Sequence, residues 1–142
     1  MGADPAEEAL RRPVREVVAA LVAGARKAQA AYERRPQEHL DEVATACGWA
    51  IMKPENNRAL AELAVRDTGL GNVEDKVAKN HRKTLGLLRD LKGVRTVGVI
   101  VEDPQRGVTE IARPVGVVAA ITPSTNPGAT PANQIINALK CG

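Results

Sequence analysis

The residues best suited to chemistry lie together in a short polar loop, residues 122–128 (TPSTNPG). The loop offers three hydroxyl groups, one side-chain amide and two prolines that restrict the backbone, and it carries no charge. The amide of Asn126 can donate two hydrogen bonds, and a neutral donor on a stiff loop suits the stabilisation of an oxyanion. The residue types leave two interpretations open, a ligand-binding segment or a purely structural turn.

The segments around this loop predict where it lies in the fold. Residues 115–121 (VGVVAAI) form an uncharged run without alternation, which is typical of a strand buried on both faces of a parallel sheet. Residues 129–140 have helical character, and loops that follow such strands are where open α/β sheets bind ligands. No G-x-G-x-x-G is present, so a standard phosphate-binding turn is not indicated. A βαβ unit needs a second strand, which does not follow here, so we expect the front part of a larger α/β enzyme.

The cysteines and histidines are weaker candidates for chemistry. Cys47 falls on an apolar helical stripe, where free cysteine is commonly a small buried hydrophobe. Cys141 stands beside Lys140, but nothing resembling a nucleophile turn surrounds it. His39 and His81 lie among charged residues on predicted helices, so a solvated surface position is expected for both.

Charge and composition narrow the function classes. The net charge is +3, and the basic run at residues 79–83 (KNHRK) raises nucleic-acid binding as an alternative. That run lacks aromatic residues and follows two acidic ones, which favours a solvated helix face. Two distant cysteines make neither a disulfide framework nor a zinc site, so a reducing, cytoplasmic setting without a metal is predicted. No apolar run approaches the ~18 residues of a membrane span.

Four helices are predicted to precede the loop region. Asp4, Pro5 and Glu7 resemble a capped helix start, and Pro13 is expected to restart or kink that helix. Proline at 36 and at 54, glycine at 69 or 71 and glycine at 93 delimit the following helices. The side chains predicted to face the core of the second, third and fourth helices are Leu40, Val43, Ala44, Cys47, Ile51, Leu60, Leu63, Ala64, Val77, Leu87, Leu88 and Leu91.

The pattern changes after residue 96. Residues 97–101 and 108–112 are rich in β-branched side chains and flank a loop with proline and glycine, which predicts a β-hairpin. The predicted organisation is therefore a helical N-terminal region at 1–95, a hairpin at 96–112, and at 113–142 the beginning of a dinucleotide-binding domain.

Two segments resemble a known family. Residues 113–127 (RPVGVVAAITPSTNP), followed by IINALKCG at 135–142, resemble the aldehyde dehydrogenase superfamily, which has a P-x-G-V-x-x-x-I-x-P segment entering its cofactor domain. The Thr-Asn-Pro ending and residues 67–80 (DTGLGNVEDKVAKN) are similar to the coenzyme-A-acylating branch, which includes acetaldehyde, succinate-semialdehyde and sulfoacetaldehyde dehydrogenases.

The resemblance implies a fold, a mechanism and site residues. It implies an α/β fold with N-terminal helices, a hairpin arm that pairs with a neighbouring subunit, and the first strand, loop and helix of a Rossmann-type domain. A cysteine thiolate would add to a small aldehyde, hydride would pass to NAD or NADP, and coenzyme A would take the acyl group. The family's nucleophilic cysteine lies downstream of the matched region. Asn126 is implied as the oxyanion donor, although a gapless alignment points to Thr125. The residues implied to run beside the cofactor are Ile121, Thr122, Pro123 and Ser124.

The preferred hypothesis is the N-terminal fragment of an NAD(P)-dependent, acylating aldehyde dehydrogenase that forms a homo-oligomer in the cytoplasm and binds neither nucleic acid nor membrane. Two alternatives stay open: a non-acylating aldehyde dehydrogenase, and a non-catalytic helical interaction or basic nucleic-acid-binding module. The reading frame downstream of Gly142 discriminates the fragment from the module.

Overall fold

The computed structural model describes the backbone of residues 5–142 and the side chains of residues 13–142. The predicted helix cap at Asp4 and the side chain of Glu7 lie outside the described residues. The described elements, in chain order, are α1 (Pro5–Tyr32), α2 (Gln37–Met52), α3 (Pro54–Thr68), α4 (Val73–Leu91), β1 (Gly98–Asp103), β2 (Val108–Ala112) and α5 (Ala129–Lys140).

Local sequence signals explain most of the helix ends. Pro54 is in the first turn of α3, where its missing N–H has no intrahelical partner to lose. Gly69 ends α3 in the left-handed conformation, with φ of 65°. Asn72 caps α4, because its side-chain oxygen accepts the N–H of Asp75 at 2.8 Å. Of the two effects expected at Pro13, the restart of the helix is wrong, since α1 runs through that residue; helix formers on both sides offset one missing hydrogen bond.

The core lies between α2 and the three helices that contact it, α3, α4 and α5. Its buried apolar side chains are Leu40, Ala44, Met52, Ala61, Ala64, Ala129, Ala132 and Ile136. Most are small, so the helices approach closely: a Cβ at Gly48 of α2 would lie 2.5 Å from Cδ1 of Leu88 on α4. Leu63, predicted to be in the core, is instead 43% exposed, because the face of α3 that packs inward carries Asn57, Ala61 and Ala64.

The buried face of α4 is polar. Lys76, Asn80 and Thr84 are its buried residues, and their four-residue spacing places them on one side of the helix. The predicted apolar residues of α4, at 77, 87, 88 and 91, are only half-buried. The hydrophobic pattern therefore missed the most buried side of α4, although it correctly indicated Leu88, which packs against Gly48 of α2.

The predicted hairpin is confirmed. β1 and β2 pair antiparallel from Gly98 opposite Ala112 to Asp103 opposite Val108, with a bulge between Val99 and Val101. Val101, Val108 and Ile111 are each between 45% and 53% exposed. The hairpin thus presents apolar side chains and unpaired strand edges to solvent, a combination that recruits other chains.

Residues 115–121 do not form the predicted strand. Val115 and Ile121 are 90% and 89% exposed, although the prediction placed this run inside a sheet. A strand is stabilised by backbone hydrogen bonds to neighbours, and no other strand of the described residues lies beside it. The predicted helix after the loop, α5, is confirmed. No helix within the described part of the chain is long and apolar enough to cross a membrane.

Candidate functional site

The loop before α5 contains a single tight turn. The N–H of Asn126 donates to the carbonyl of Pro123 at 3.2 Å, which leaves Ser124 and Thr125 at the exposed corner. Asn126 is half-buried, and its side-chain amide makes no hydrogen bond to the residues that the structure describes. Both N–H groups of that amide are therefore available to a ligand.

A buried amide pair supports the end of this loop. The side chain of Asn80 on α4 donates to Oδ1 of Asn57 on α3 at 3.0 Å, and the amide of Asn57 donates to the carbonyl of Val77 at 3.0 Å. Asn80 also lies against Gly128, where an added Cβ would come within 2.9 Å of its Oδ1. The glycine thus lets the loop approach α4, and the paired amides fix the surface on which it rests. At the other end of the loop, Gln134 donates to the carbonyl of Ile121 at 3.2 Å.

The far end of α5 is held by a close ion pair between Lys140 and Asp41 of α2. Lys140 is only 2% exposed. Burial would by itself raise the pKa of Asp41, but hydrogen bonds from Lys140 and Gln37 and the Lys140 charge outweigh it and lower that pKa. The hydroxyl of Thr96 donates to the carbonyl of Lys140 at 2.5 Å. The helix that carries the loop is therefore fixed at both ends.

A further contact joins α1 to the end of α5. The hydroxyl of Tyr32 donates to the carbonyl of Leu139 at 2.9 Å. Burial, and then the neighbouring Cys47, raise the pKa of Tyr32. His39 is half-buried with its ring 6.1 Å from that of Tyr32, so it is less exposed than the solvated surface position predicted for it. His81 is exposed, as predicted.

A cavity of about 290 Å³ lies where the loop meets the start of α4. It is lined by residues 70–72 of the preceding turn, by Asp75, Lys76 and Lys79 of α4, and by Thr125 of the loop. We call it the basic cavity, because two lysines and one aspartate are the charged residues in its lining. Sequence reasoning missed it: Lys79 was assigned to a solvated helix face and Lys76 to no role. The three-residue spacing of Lys76 and Lys79, which places both lysines on one side of α4, is the signal that could have found it.

The structure brings some of the predicted site residues to this region and leaves others apart. Thr125 lines the basic cavity, whereas Asn126 does not. The side chains predicted to run beside the cofactor, Ile121, Thr122, Pro123 and Ser124, are all exposed on one continuous stretch. Cys47 is half-buried and Cys141 is exposed, both as free thiols. Among the described residues, no cluster of three or more His, Cys, Asp or Glu could hold a metal ion.

Comparison with known proteins identifies the class to which this helical region and its loop belong. Residues 9–142 match the aldehyde dehydrogenase family, so the chain belongs to that family. The solved structure of an acetylating aldehyde dehydrogenase from Geobacillus thermoglucosidasius superposes with a TM-score of 0.84 at 38% identity, covering 89% of this chain and 27% of that one. The fold class predicted from the sequence is confirmed by this agreement.

Several of the curated relatives are named as acylating or acetylating dehydrogenases. The sulfoacetaldehyde dehydrogenase (acylating) of Cupriavidus necator is 70% identical over 127 residues, which are 89% of this chain and 26% of the relative. The succinate-semialdehyde dehydrogenase (acetylating) of Clostridium kluyveri is 40% identical over 84% of this chain and 26% of its own length. The chain thus spans about a quarter of the length of these two relatives. These similarities favour the enzyme hypothesis over a stand-alone interaction or nucleic-acid-binding module.

Proposed function

We propose that this chain is the N-terminal part of an enzyme that oxidises sulfoacetaldehyde to its coenzyme A thioester with NAD or NADP. The observation that carries the proposal is the 70% identity to the acylating sulfoacetaldehyde dehydrogenase of Cupriavidus necator. Two further relatives with the sulfoacetaldehyde name are 49% and 46% identical, each over 82% of this chain. The reaction consumes aldehyde, oxidised cofactor and coenzyme A, and it yields acyl-coenzyme A, reduced cofactor and one proton.

In this proposal the loop stabilises charge on the aldehyde oxygen. The oxygen becomes negative as a thiolate adds to the carbonyl carbon, so a fixed donor stabilises the transition state more than the free aldehyde. Asn126 fits this role, because its amide makes no hydrogen bond to the described residues and prolines restrict the backbone before and after it. Thr125 is the alternative donor, since its hydroxyl is exposed at the corner of the same turn.

The stretch before the turn would contact the nicotinamide cofactor, which accepts the hydride when it is bound. Ile121 is 89% exposed, and an exposed apolar side chain beside two hydroxyl groups suits the flat, mixed surface of a nicotinamide ribose. The residues that would hold the cofactor are Ile121, Thr122, Pro123 and Ser124. Their contribution is to position the cofactor and to exclude water from one side of it.

The domain boundaries and the assembly belong to the same proposal. The helices at 1–95 and the dinucleotide-binding region beginning at 113 would flank the hairpin at 96–112, whose exposed apolar residues would pair with a second subunit. Two free thiols are compatible with a cytoplasmic, reducing location.

The test is steady-state kinetics on the complete enzyme that carries this chain. Reduction of NAD⁺ or NADP⁺ should require sulfoacetaldehyde and should depend on coenzyme A. The 142-residue chain by itself should reduce no cofactor, because neither of its thiols has a nucleophile-like setting. A stop codon directly after Gly142 in the source DNA, or turnover by the isolated chain that is lost in Cys141→Ser, would contradict the proposal.

A further inference from the structure

The packing of α3 against α4 does not by itself require the buried amide pair of Asn57 and Asn80. Both residues are 3% exposed, and a hydrogen bond of 3.0 Å joins their side chains. Apolar residues of the same shape at both positions can be equally stabilising, because a hydrogen bond between buried groups replaces hydrogen bonds to water. What a satisfied amide pair supplies is a fixed geometry, since its hydrogen bonds permit a narrow range of distances and angles.

The Asn57 amide fixes the orientation of the Asn80 side chain. The nitrogen of Asn57 donates to the carbonyl of Val77 at 3.0 Å, one turn before Asn80 on the same helix. The side-chain oxygen of Asn57 then accepts the amide nitrogen of Asn80. A reversed Asn80 amide would bring two oxygen atoms together, so the pair favours a single orientation.

The Asn80 amide lies against the start of α5. A Cβ at Gly128 would be 2.9 Å from Oδ1, 3.1 Å from Nδ2 and 3.3 Å from Cγ of Asn80, so the amide group lies directly against this glycine. Gly128 is the N-cap of α5, and its carbonyl accepts the N–H of Ala132 at 3.4 Å. Ala132 is 4% exposed, so the first turn of α5 is packed into the core at this point.

A stretch of backbone with little freedom connects Gly128 to Asn126. Only Pro127 lies between them, and its ring fixes φ at about −65°. The proline also restricts the backbone of the residue before it, which is Asn126. A shift of Gly128 is therefore passed on to Asn126 and to the turn that the Asn126 N–H closes. The start of the loop cannot absorb the shift freely, because Gln134 holds the carbonyl of Ile121.

We propose that Asn80 is a positioning residue for the oxyanion donor of the loop: its amide, oriented by Asn57, sets the place of Gly128 and through it the place of Asn126. This inference rests on the proposed function for the role of the loop. It assigns an effect on the rate to two buried amides that have no acid–base or nucleophilic chemistry of their own. The physical reason is the narrow tolerance of such donors, because a displacement of about 1 Å can cost on the order of 100-fold in rate.

The rate of the first turnover in the complete enzyme tests this proposal. Stopped-flow absorbance follows the reduction of NAD⁺ or NADP⁺ after the aldehyde is added at a saturating concentration. Asn80→Ala should lower this rate about 10- to 100-fold, because Gly128 is no longer held, while the steady-state KM for cofactor and for coenzyme A stays within twofold. Asn57→Leu should lower the rate by at least about threefold, since Asn80 then keeps its bulk and loses its orientation. Wild-type rates in both variants overturn the proposal.

Two controls separate positioning from general support of the fold. Thr84→Val changes the same buried face of α4 one turn further along, where the Thr84 hydroxyl has no hydrogen-bond partner among the described residues. Met52→Ala removes a buried side chain at the end of α2 and should lower the melting temperature. Both controls should keep the first-turnover rate within twofold of wild type. A loss of rate in either control that equals the loss in Asn80→Ala means that Asn80 only supports the fold, and the proposal is then wrong.

The same contact is changed from the side of the loop by Gly128→Ala. Gly128 has φ of −95° and ψ of −66°, close to the helical region that alanine adopts readily, so this variant acts through its Cβ. It should lower the first-turnover rate at least about tenfold, because the Cβ displaces the loop from the amide. Asn80→Ala gives that Cβ space, so the double variant should be no slower than the slower single variant. A loss in the double variant that equals the product of the two single losses means that the residues act independently, and it overturns the proposal.

The two proposals fail in different ways. If the wild-type enzyme oxidises another aldehyde but not sulfoacetaldehyde, the proposed substrate is wrong, and the same variants test Asn80 with that aldehyde. If the enzyme oxidises sulfoacetaldehyde and neither Asn80→Ala nor Gly128→Ala lowers the rate, the proposed function stands and the positioning role is wrong. If neither Asn126→Ala nor Thr125→Ala lowers the rate, the loop holds no oxyanion donor, and the inference fails while the substrate assignment stands.

Discussion

Replacing Lys140 with methionine tests the ion pair that fixes α5, and with it the loop, against α2. Methionine is similar in length, so most of the packing of the side-chain stem is retained and the charge is what is lost. Breaking a fully buried pair costs about 3–5 kcal/mol, whereas an exposed pair contributes about 0–1 kcal/mol. The side chain of Lys140 is 2% exposed and that of Asp41 is 41% exposed, so water can replace the lysine at the carboxylate. We expect Lys140→Met to lower the free energy of unfolding by about 1–2 kcal/mol, between those two limits.

Removing the charge of the partner, Asp41, should lower the free energy of unfolding more than removing that of Lys140. Asp41→Asn leaves the buried ammonium of Lys140 without a counter-charge, so a loss of about 2–4 kcal/mol is expected, nearer the limit for a buried pair. Urea unfolding of the 142-residue chain, followed by far-ultraviolet circular dichroism, measures both values. Arg89→Met is the matched control, because Arg89 pairs with Asp90 on the surface with 78% of its side chain exposed. Its effect should stay within about 0.5 kcal/mol.

The pH dependence gives an independent check on the same pair. The folded-state pKa of Asp41 lies below its ordinary value, so its contribution to stability is complete above the unfolded pKa and is lost as the pH falls through the folded pKa. The difference between wild type and Lys140→Met should therefore be full at pH 7 and should shrink below about pH 4. A difference no larger than that of Arg89→Met, or one that is the same at pH 7 and at pH 3, refutes the reasoning.

Three further outcomes are expected. In the complete enzyme Asn126→Ala should lower kcat about 100- to 1,000-fold with little change in cofactor binding. If Thr125→Ala has that effect instead, Thr125 is the oxyanion donor, as the gapless alignment with the family indicates. Ile111→Arg should reduce the oligomeric state measured by light scattering, because it places a charge on the exposed apolar face of the hairpin; an unchanged state places the interface elsewhere. Gly128→Ala should destabilise the chain by about 1–3 kcal/mol, because the added Cβ would press on the buried amide of Asn80. Gly86→Ala is the control: a Cβ there would have no atom within 4 Å, so this variant should stabilise α4 by about 0.5–1 kcal/mol. Equal melting temperatures for these two glycine variants would contradict that packing.

Features set by neighbouring residues were predictable from the sequence. The Asn72 cap, the proline at the start of α3 and the left-handed Gly69 each depend on a few adjacent residues; the sequence predicts the proline boundary at 54, and it places the glycine that ends α3 at 69 or 71. The hairpin was predictable for the same reason, because its turn and its two β-branched runs are contiguous. The restart expected at Pro13 is the exception, since α1 continues through that residue.

Features that depend on distant partners were not predictable in the same way. Residues 115–121 have the composition of a buried strand, yet a strand forms only where another strand pairs with it, and none of the described residues supplies one. The polar face of α4 was missed because an apolar pattern does not reveal a buried lysine or asparagine. Asn80 is buried because Asn57 of another helix satisfies its amide, and the basic cavity exists only once the loop meets α4. The resemblance to a family placed the loop in a functional context that its residue types alone left open.

The identity of the reaction product tests the central proposal most directly. The complete enzyme is incubated with sulfoacetaldehyde, oxidised cofactor and coenzyme A, and the products are analysed by mass spectrometry alongside the amount of cofactor reduced. The proposal predicts sulfoacetyl-coenzyme A in an amount equal to the reduced cofactor, with no reduction when sulfoacetaldehyde is omitted. Accumulation of free sulfoacetate while coenzyme A remains unmodified would contradict it and would identify a non-acylating dehydrogenase instead.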